Sequence, residues 1–112
     1  MMLPNGDRAI VDLAKLVNYC LDPTHPRGKH KAKVFAASLG FLLPDAAQLR
    51  ALLLAAARTS SNALPGLADP YGTRYLLDVS MTGPLGSGVV RSAWIILASE
   101  DFPRLTSCYV LV

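Results

Sequence analysis

The hydrophobic pattern of this chain changes period once, and that change limits the fold more than any single motif does. Up to residue 58, apolar residues recur every three or four positions: Leu13, Leu16, Val17 and Cys20, then Val34, Phe35 and Leu39, then Leu49, Leu52, Leu53 and Ala56. That spacing puts each set on one face of a helix. From Arg74 the period falls to two. Tyr75, Leu77, Val79 and Met81 alternate with Arg74, Asp78, Ser80 and Thr82, as a strand buried on one side requires. A helical half followed by a strand half predicts an α+β domain. About three N-terminal helices pack on one face of a C-terminal antiparallel meander of three or four strands.

The punctuation fits that division. Asp12 is an N-cap candidate for a helix over about 13–21, which "DPTHPRG" stops because Pro23 and Pro26 cannot continue it and Gly28 frees the backbone. A second helix is predicted over about 29–39, with Val34, Phe35, Ser38 and Leu39 towards the core and Gly40 as its C-cap. Pro44 and Asp45 suit the start of a third, ending near Arg58. "RAIV" at 8–11 reads as a short edge strand. "TSSNALPGLADPYG" is small, polar and turn-forming, and is expected to be a loop over 59–72. "GPLGSG" at 83–88 reads as a hairpin connection. "VVRSAWIILA" is apolar on both faces, as a central strand would be, and 104–112 form the last strand. Residues 1–112 are expected to make one domain, with a helical half over about 12–58 and a sheet half over about 73–112.

Composition excludes several classes. With 52% hydrophobic and 17% charged residues the chain is neither disordered nor of low complexity. Cys20 and Cys108 form no CxxC pair and read as small core residues of a reduced intracellular protein, with a disulfide as the minority alternative. The N-terminus has no basic region followed by an apolar run, and "ALLLAAA" at 51–57 is far below the ~20 residues that span a bilayer. A cytoplasmic protein with no membrane partner is expected. His25 and His30, with Pro26 and Gly28 between them, do not share a helix face, and the acidic residues are scattered singly. No metal site and no cofactor are therefore expected. "PLGSG" lacks the lysine and hydroxyl of a phosphate loop, and no serine stands in a Gly-x-Ser-x-Gly elbow.

What remains is "HPRGKHKAK" at 25–33, with four of the eleven cationic residues and both histidines. Lys29, His30, Lys31 and Lys33 stand where a helix begins, and helix starts attract anions. A phosphate docked there would meet ammonium groups and an imidazole able to move a proton near neutral pH. A solvated, lysine-rich first turn satisfies the same residues. Arg74 and Arg91 on strands are able to clamp phosphate or simply face water. Thr106 and Ser107 are able to orient a phosphate oxygen or act as ordinary strand formers. Tyr71 offers a stacking ring for a base, and Trp94 belongs in the core.

The segments "KLVNYCLDPTHPRGKHKAKVFAASLGF", "YGTRYLLDVSMTGPLGSGVVRSAWII" and "DFPRLTSCYVLV" resemble a bacterial domain family of unknown function. It occurs as small standalone proteins and at the C-termini of polymorphic and contact-dependent toxins. The matching motifs are Tyr19–Leu21, Gly28–Ala32, Tyr71–Tyr75, Val90–Trp94 and Arg104–Tyr109, spread over nearly the whole chain. Those toxin domains resemble the ribonuclease fold of barnase-like, colicin-type and messenger-RNA-interferase toxins, which work without metal. The resemblance implies His30 as general acid/base, Lys29, Lys31 and Arg91 as charge stabilisers, and Thr106 positioning the phosphate. Lys33, Arg74 and Tyr71 would make further contacts to RNA. It implies an RNA substrate and a cognate antitoxin or immunity protein. The rival expectation is a non-catalytic module whose basic patch grips an acidic partner protein; a third is nucleic-acid binding without catalysis.

Overall fold

The computed structural model describes all 112 residues. Its helical half begins with a 3-10 turn, Gly6–Arg8, and a short helix α1, Leu13–Lys15, that widens into a π turn over Leu16–Cys20. The Asp12 side chain accepts from the Ala14 N–H at 3.0 Å, which caps α1 as the sequence suggests. α2 spans Lys29–Ser38, and α3 spans Ala46–Thr59 after a 3-10 turn at Leu43–Asp45. The Asp45 carboxylate accepts from the Leu42 N–H at 2.8 Å and closes that turn. Gly40 has φ 76°, the left-handed conformation that ends a helix and favours glycine.

The sheet half has four strands: β1 Leu64–Asp69, β2 Gly72–Gly83, β3 Gly86–Leu97 and β4 Arg104–Val110, in the spatial order β1-β2-β3-β4, every pair antiparallel. Pro84 and Leu85 make the β2–β3 turn, with Gly83 opposite Gly86. β3 is therefore a central strand, as its two-sided apolar sequence demands. Ile10 makes only an isolated parallel bridge to Arg104, all that forms of the edge strand expected at 8–11.

The helices cover one face of the sheet. Leu77 and Met81 of β2, Val90, Ser92 and Trp94 of β3, and Leu105, Cys108 and Val110 of β4 are buried against Leu16, Cys20, Phe35, Leu39, Leu49 and Leu53. Ser92 is the buried polar residue of this layer. Its hydroxyl donates to the Leu77 carbonyl at 2.6 Å and accepts from the Trp94 indole N–H at 2.9 Å. No single helix is long and apolar enough to cross a membrane.

Two expectations need correction. Residues 59–72 are not all loop, because β1 lies within them. All six of its residues are exposed, so burial imposes no alternation on it, and Pro65 and Gly66 hide it further. Main-chain pairing with β2 creates this strand, helped by the Asp69 carboxylate, which accepts from the Tyr71 and Gly72 N–H groups. Of the residues of α2 and its C-cap expected to face the core, Phe35 and Leu39 are buried and half-buried Val34 packs against the core, whereas Ser38 is only half-buried and Ala32 takes a buried place the sequence reading did not give it.

Candidate functional site

The turn before α2 is built by its own side chains. The Asp22 carboxylate accepts from both the N–H and the hydroxyl of Thr24, at 2.9 and 2.7 Å. His25 Nδ1 accepts from the Arg27 and Gly28 N–H groups at 3.0 and 2.9 Å, while its ring stands edge-on to Tyr19 at 4.8 Å. His25 thus shapes the turn. Gly28 presses on the Tyr19 carbonyl so closely that an added Cβ would lie 2.2 Å from that oxygen. This contact fixes the start of α2 against the π turn.

From that start the cationic side chains spread to two sides. Lys29, His30 and Lys33 border an open cleft of about 600 Å³ whose other walls are apolar, among them Leu21, Ala32, Phe41 and Leu43. On the other side His30 and Lys31, with Val34, Tyr109 and Val110, line a groove of about 260 Å³ at the outer edge of β4. His30 borders both and is exposed. The Lys31 ammonium donates to the Tyr19 hydroxyl at 2.9 Å and lies 4.6 Å from the centre of that ring and 5.8 Å from that of Tyr109. Two aromatic rings beside one ammonium attract the cation and steady its position.

Tyr109 connects this groove with the face of the sheet that the helices leave open. Its cross-strand partner on β3 is Arg91, which alternation puts on the face opposite buried Val90 and Ser92. Arg91 donates through Nε and Nη2 to the two Asp78 oxygens at 2.8 and 2.9 Å. Hydrogen bonding to Asp78, with the attraction of its charge, raises the Arg91 pKa, and Tyr109 adds to it. The guanidinium in turn holds the Asp78 carboxyl below its ordinary range. Two of the five guanidinium N–H groups are used in this pair, so others remain for a ligand.

The remaining sequence candidates are spread along the sheet. Thr106 falls at a bulge in β4, where Leu105 and Ser107 pair with Trp94 and Ala93, and its hydroxyl donates to the Ala93 carbonyl at 3.1 Å. Arg74 donates to Asp69 at 3.0 Å, and Tyr71 is exposed in the β1–β2 turn. The structure therefore puts Lys29, His30 and Lys33 on one cleft and His30 and Lys31 on the groove at β4, whose Tyr109 is the cross-strand neighbour of Arg91. Arg74 and Tyr71 lie at the other hairpin. Sequence reasoning did not single out Tyr19, Asp78 or Tyr109 as site residues. The two tyrosines were nonetheless within reach, since both fall in motifs that carry the family resemblance.

The layout of helices before a four-stranded meander is one that a toxin system also uses. The fold matches one chain of the "Contact-dependent growth inhibition toxin - immunity protein complex from Klebsiella pneumoniae 342", with TM-score 0.68 and 16% sequence identity. The match covers 91% of this chain and 99% of that one. At that identity the likeness is one of fold. By sequence, the chain belongs to the family described as a domain of unknown function, DUF6883, which matches residues 2–112. No curated protein matches it.

Proposed function

We propose that this domain is a toxin-like endoribonuclease that cleaves RNA by transesterification at the edge of β4. One observation carries the reading: Tyr109 has the Lys31 ammonium 5.8 Å from its ring centre and Arg91 as its cross-strand neighbour, and His30 lines the same groove. A phosphodiester laid along Tyr109 meets a cation at each end and an exposed imidazole beside it. The ribose 2′-hydroxyl attacks the adjacent phosphorus, the 5′-oxygen leaves, and a 2′,3′-cyclic phosphate remains. His30 moves the proton, a contribution of ~10²–10⁴-fold. Lys31 and Arg91 stabilise the charge that builds on the phosphorane, and Lys29 and Lys33 guide the strand across the start of α2. The fold shared with a chain of a toxin–immunity complex supports this reading.

Expression in a bacterial host with growth and RNA integrity followed together tests it. The wild type arrests growth and degrades RNA, and His30→Ala and Lys31→Ala each abolish both effects. Intact RNA with the wild type, or arrest that survives both substitutions, overturns the proposal.

A second reading rests on the larger cleft. Its walls are apolar, Leu42 is 55% exposed there, and Lys29, His30 and Lys33 border it with no acidic residue among them. Such a cleft suits an apolar segment of a partner protein carrying carboxylates, as an immunity protein would supply. A stable one-to-one complex that Lys29→Glu/Lys33→Glu breaks, together with no RNA cleavage, favours this reading over the first.

A further inference from the structure

We infer that residues 78–82 of β2 are the pairing edge of a weak dimer, adding antiparallel to the same segment of a second copy of this chain; the surface is independent of the nuclease reading. β1 covers only the first part of β2. Its last pair is Leu64 with Leu76, while β2 runs on to Gly83, and no strand stands on that side beyond Leu76. Two hydrogen bonds fix which main-chain groups are left there. The Tyr71 carbonyl accepts from the Ala98 N–H, and the Leu77 carbonyl accepts from the Ser92 hydroxyl, so the odd-numbered residues of β2 turn their main chain towards β3. Asp78, Ser80 and Thr82 therefore turn theirs to the open side, where no turn or loop bonds to them.

The other borders of the sheet carry devices that stop a strand from pairing with a stranger. β1 has Pro65 and a register break between Pro65 and Ala68. β4 is bordered by α2 and by Ile10, which bonds to Pro103 and Leu105. Residues 78–82 have no proline, no lysine and no bulge. Their single charge, Asp78, is held by Arg91. There is also room beside them. A hollow of about 400 Å³ lies between this edge and α3, with Leu52, Ala55 and Ala56 in its wall, and another of about 420 Å³ lies against Ser80 and Thr82. Ser80 and Thr82 are exposed.

A second copy is the occupant that fits. The free stretch is bounded by Leu64, opposite Leu76, at one end and by the turn at Pro84 at the other. The antiparallel register that uses all of it is centred on Ser80. Ser80 then faces Ser80 of the second copy, and Asp78 faces its Thr82. Every outward N–H meets an outward carbonyl, the serine hydroxyls pair across the axis, and no like charges are opposed. A charged segment from another protein finds no free opposite charge here, since Asp78 is already bound. Two-fold pairing uses both edges, so growth stops at two copies. A strand pair this short falls at the weak end of interface sizes, below ~1,200 Å².

Sedimentation equilibrium of the full chain from about 10 µM to about 1 mM, with amide exchange followed by NMR at both limits, tests the inference. The average mass should climb from one chain towards two. The amides of Asp78, Ser80 and Thr82 should slow severalfold at the higher concentration, while those of Leu77, Val79 and Met81, already bonded to β3, keep their rates. Ser80→Pro removes an N–H that the β2–β3 ladder does not use, and should leave the chain monomeric throughout. Ser80→Lys should do the same without touching the backbone, and serves should the proline variant fail to fold. A single-chain mass at about 1 mM, a dimer that survives Ser80→Lys, or a dimer in which those amides do not slow would each overturn it.

Discussion

Arg91 of β3 and Asp78 of β2 stand opposite each other and share two hydrogen bonds of 2.8 and 2.9 Å on the sheet face that the helices leave open. The pair orients the guanidinium through two parallel contacts, the geometry that makes arginine selective for planar anions. A carboxylate already occupies it, so a phosphate at Tyr109 must use the remaining N–H groups. Asp78 is in this view the residue that aims Arg91, and Arg91 the one that meets the anion.

Acid stability checks the pair. Asp78 is held below its ordinary value near 3.8 by the Arg91 hydrogen bonds and charge. A carboxyl with a depressed folded pKa contributes stability that is fully present above that ordinary value and lost as pH falls through the lower folded one. Urea unfolding from pH 7 down to pH 2 should therefore show stability declining below about pH 4. Asp78→Asn should flatten part of that decline and lower stability at pH 7. An unchanged profile in the variant would contradict the role given to the pair.

The Lys31 ammonium, already donating to Tyr19, keeps two donors for a phosphate. Binding of a single-stranded RNA that the domain does not cleave should depend on salt. Lys31→Ala should reduce the slope of log K against log salt by about 0.7, the share of one phosphate on single-stranded nucleic acid. Tyr19→Phe removes the hydrogen-bond acceptor but keeps the ring and the cation, so the slope should stay. Fluorescence titration at four or more salt concentrations reads both.

Gly28→Ala asks a Cβ to enter space 2.2 Å from the Tyr19 carbonyl oxygen. Backbone stands on both sides of that contact, so the start of α2 must shift. We expect a loss of about 1–3 kcal/mol in chemical denaturation, the usual range for overpacking. The groove should suffer with it, because Lys31 and Tyr19 sit on the two elements that separate.

Ser92→Ala deletes an acceptor and a donor from the most buried layer of the sheet. The Trp94 indole N–H loses its partner at 2.9 Å, and the Leu77 carbonyl loses a hydrogen bond of 2.6 Å. About 1–3 kcal/mol should be lost in urea unfolding, the cost of leaving a buried polar group unsatisfied. Tryptophan emission should report a changed environment in the folded state.

The change of hydrophobic period was enough to foresee the helices-then-sheet order, and glycine chemistry located the α2 stop at Gly40 and a hairpin connection within 83–88, of which Pro84 and Leu85 alone are the turn while Gly83 ends β2 and Gly86–Gly88 begin β3. β1 escaped because an exposed strand has no side to bury, so its six residues carry no alternation. The Arg91–Asp78 pair was closer to legible. Once Gly83 stands opposite Gly86, antiparallel counting puts residue 78 opposite 91. Tyr109 needed one more step, the bulge at Thr106, which shifts the β3–β4 register by one residue and sets which β4 side chains share a face with Arg91. His25 lies in "DPTHPRG", the stretch expected to stop the first helix; its acceptance from two backbone N–H groups comes from a loop geometry that spacing does not encode.

The central claim is that the β4 edge groove cleaves a phosphodiester by attack of its own 2′-hydroxyl. Purified protein incubated with RNA in excess EDTA, with the ends of the products identified by mass spectrometry, tests it most directly. The account predicts fragments ending in 2′,3′-cyclic phosphate, formed by the wild type and reduced at least a hundredfold by His30→Ala. Fragments bearing 5′-phosphates and free 3′-hydroxyls, or no cleavage by the wild-type protein, would contradict it.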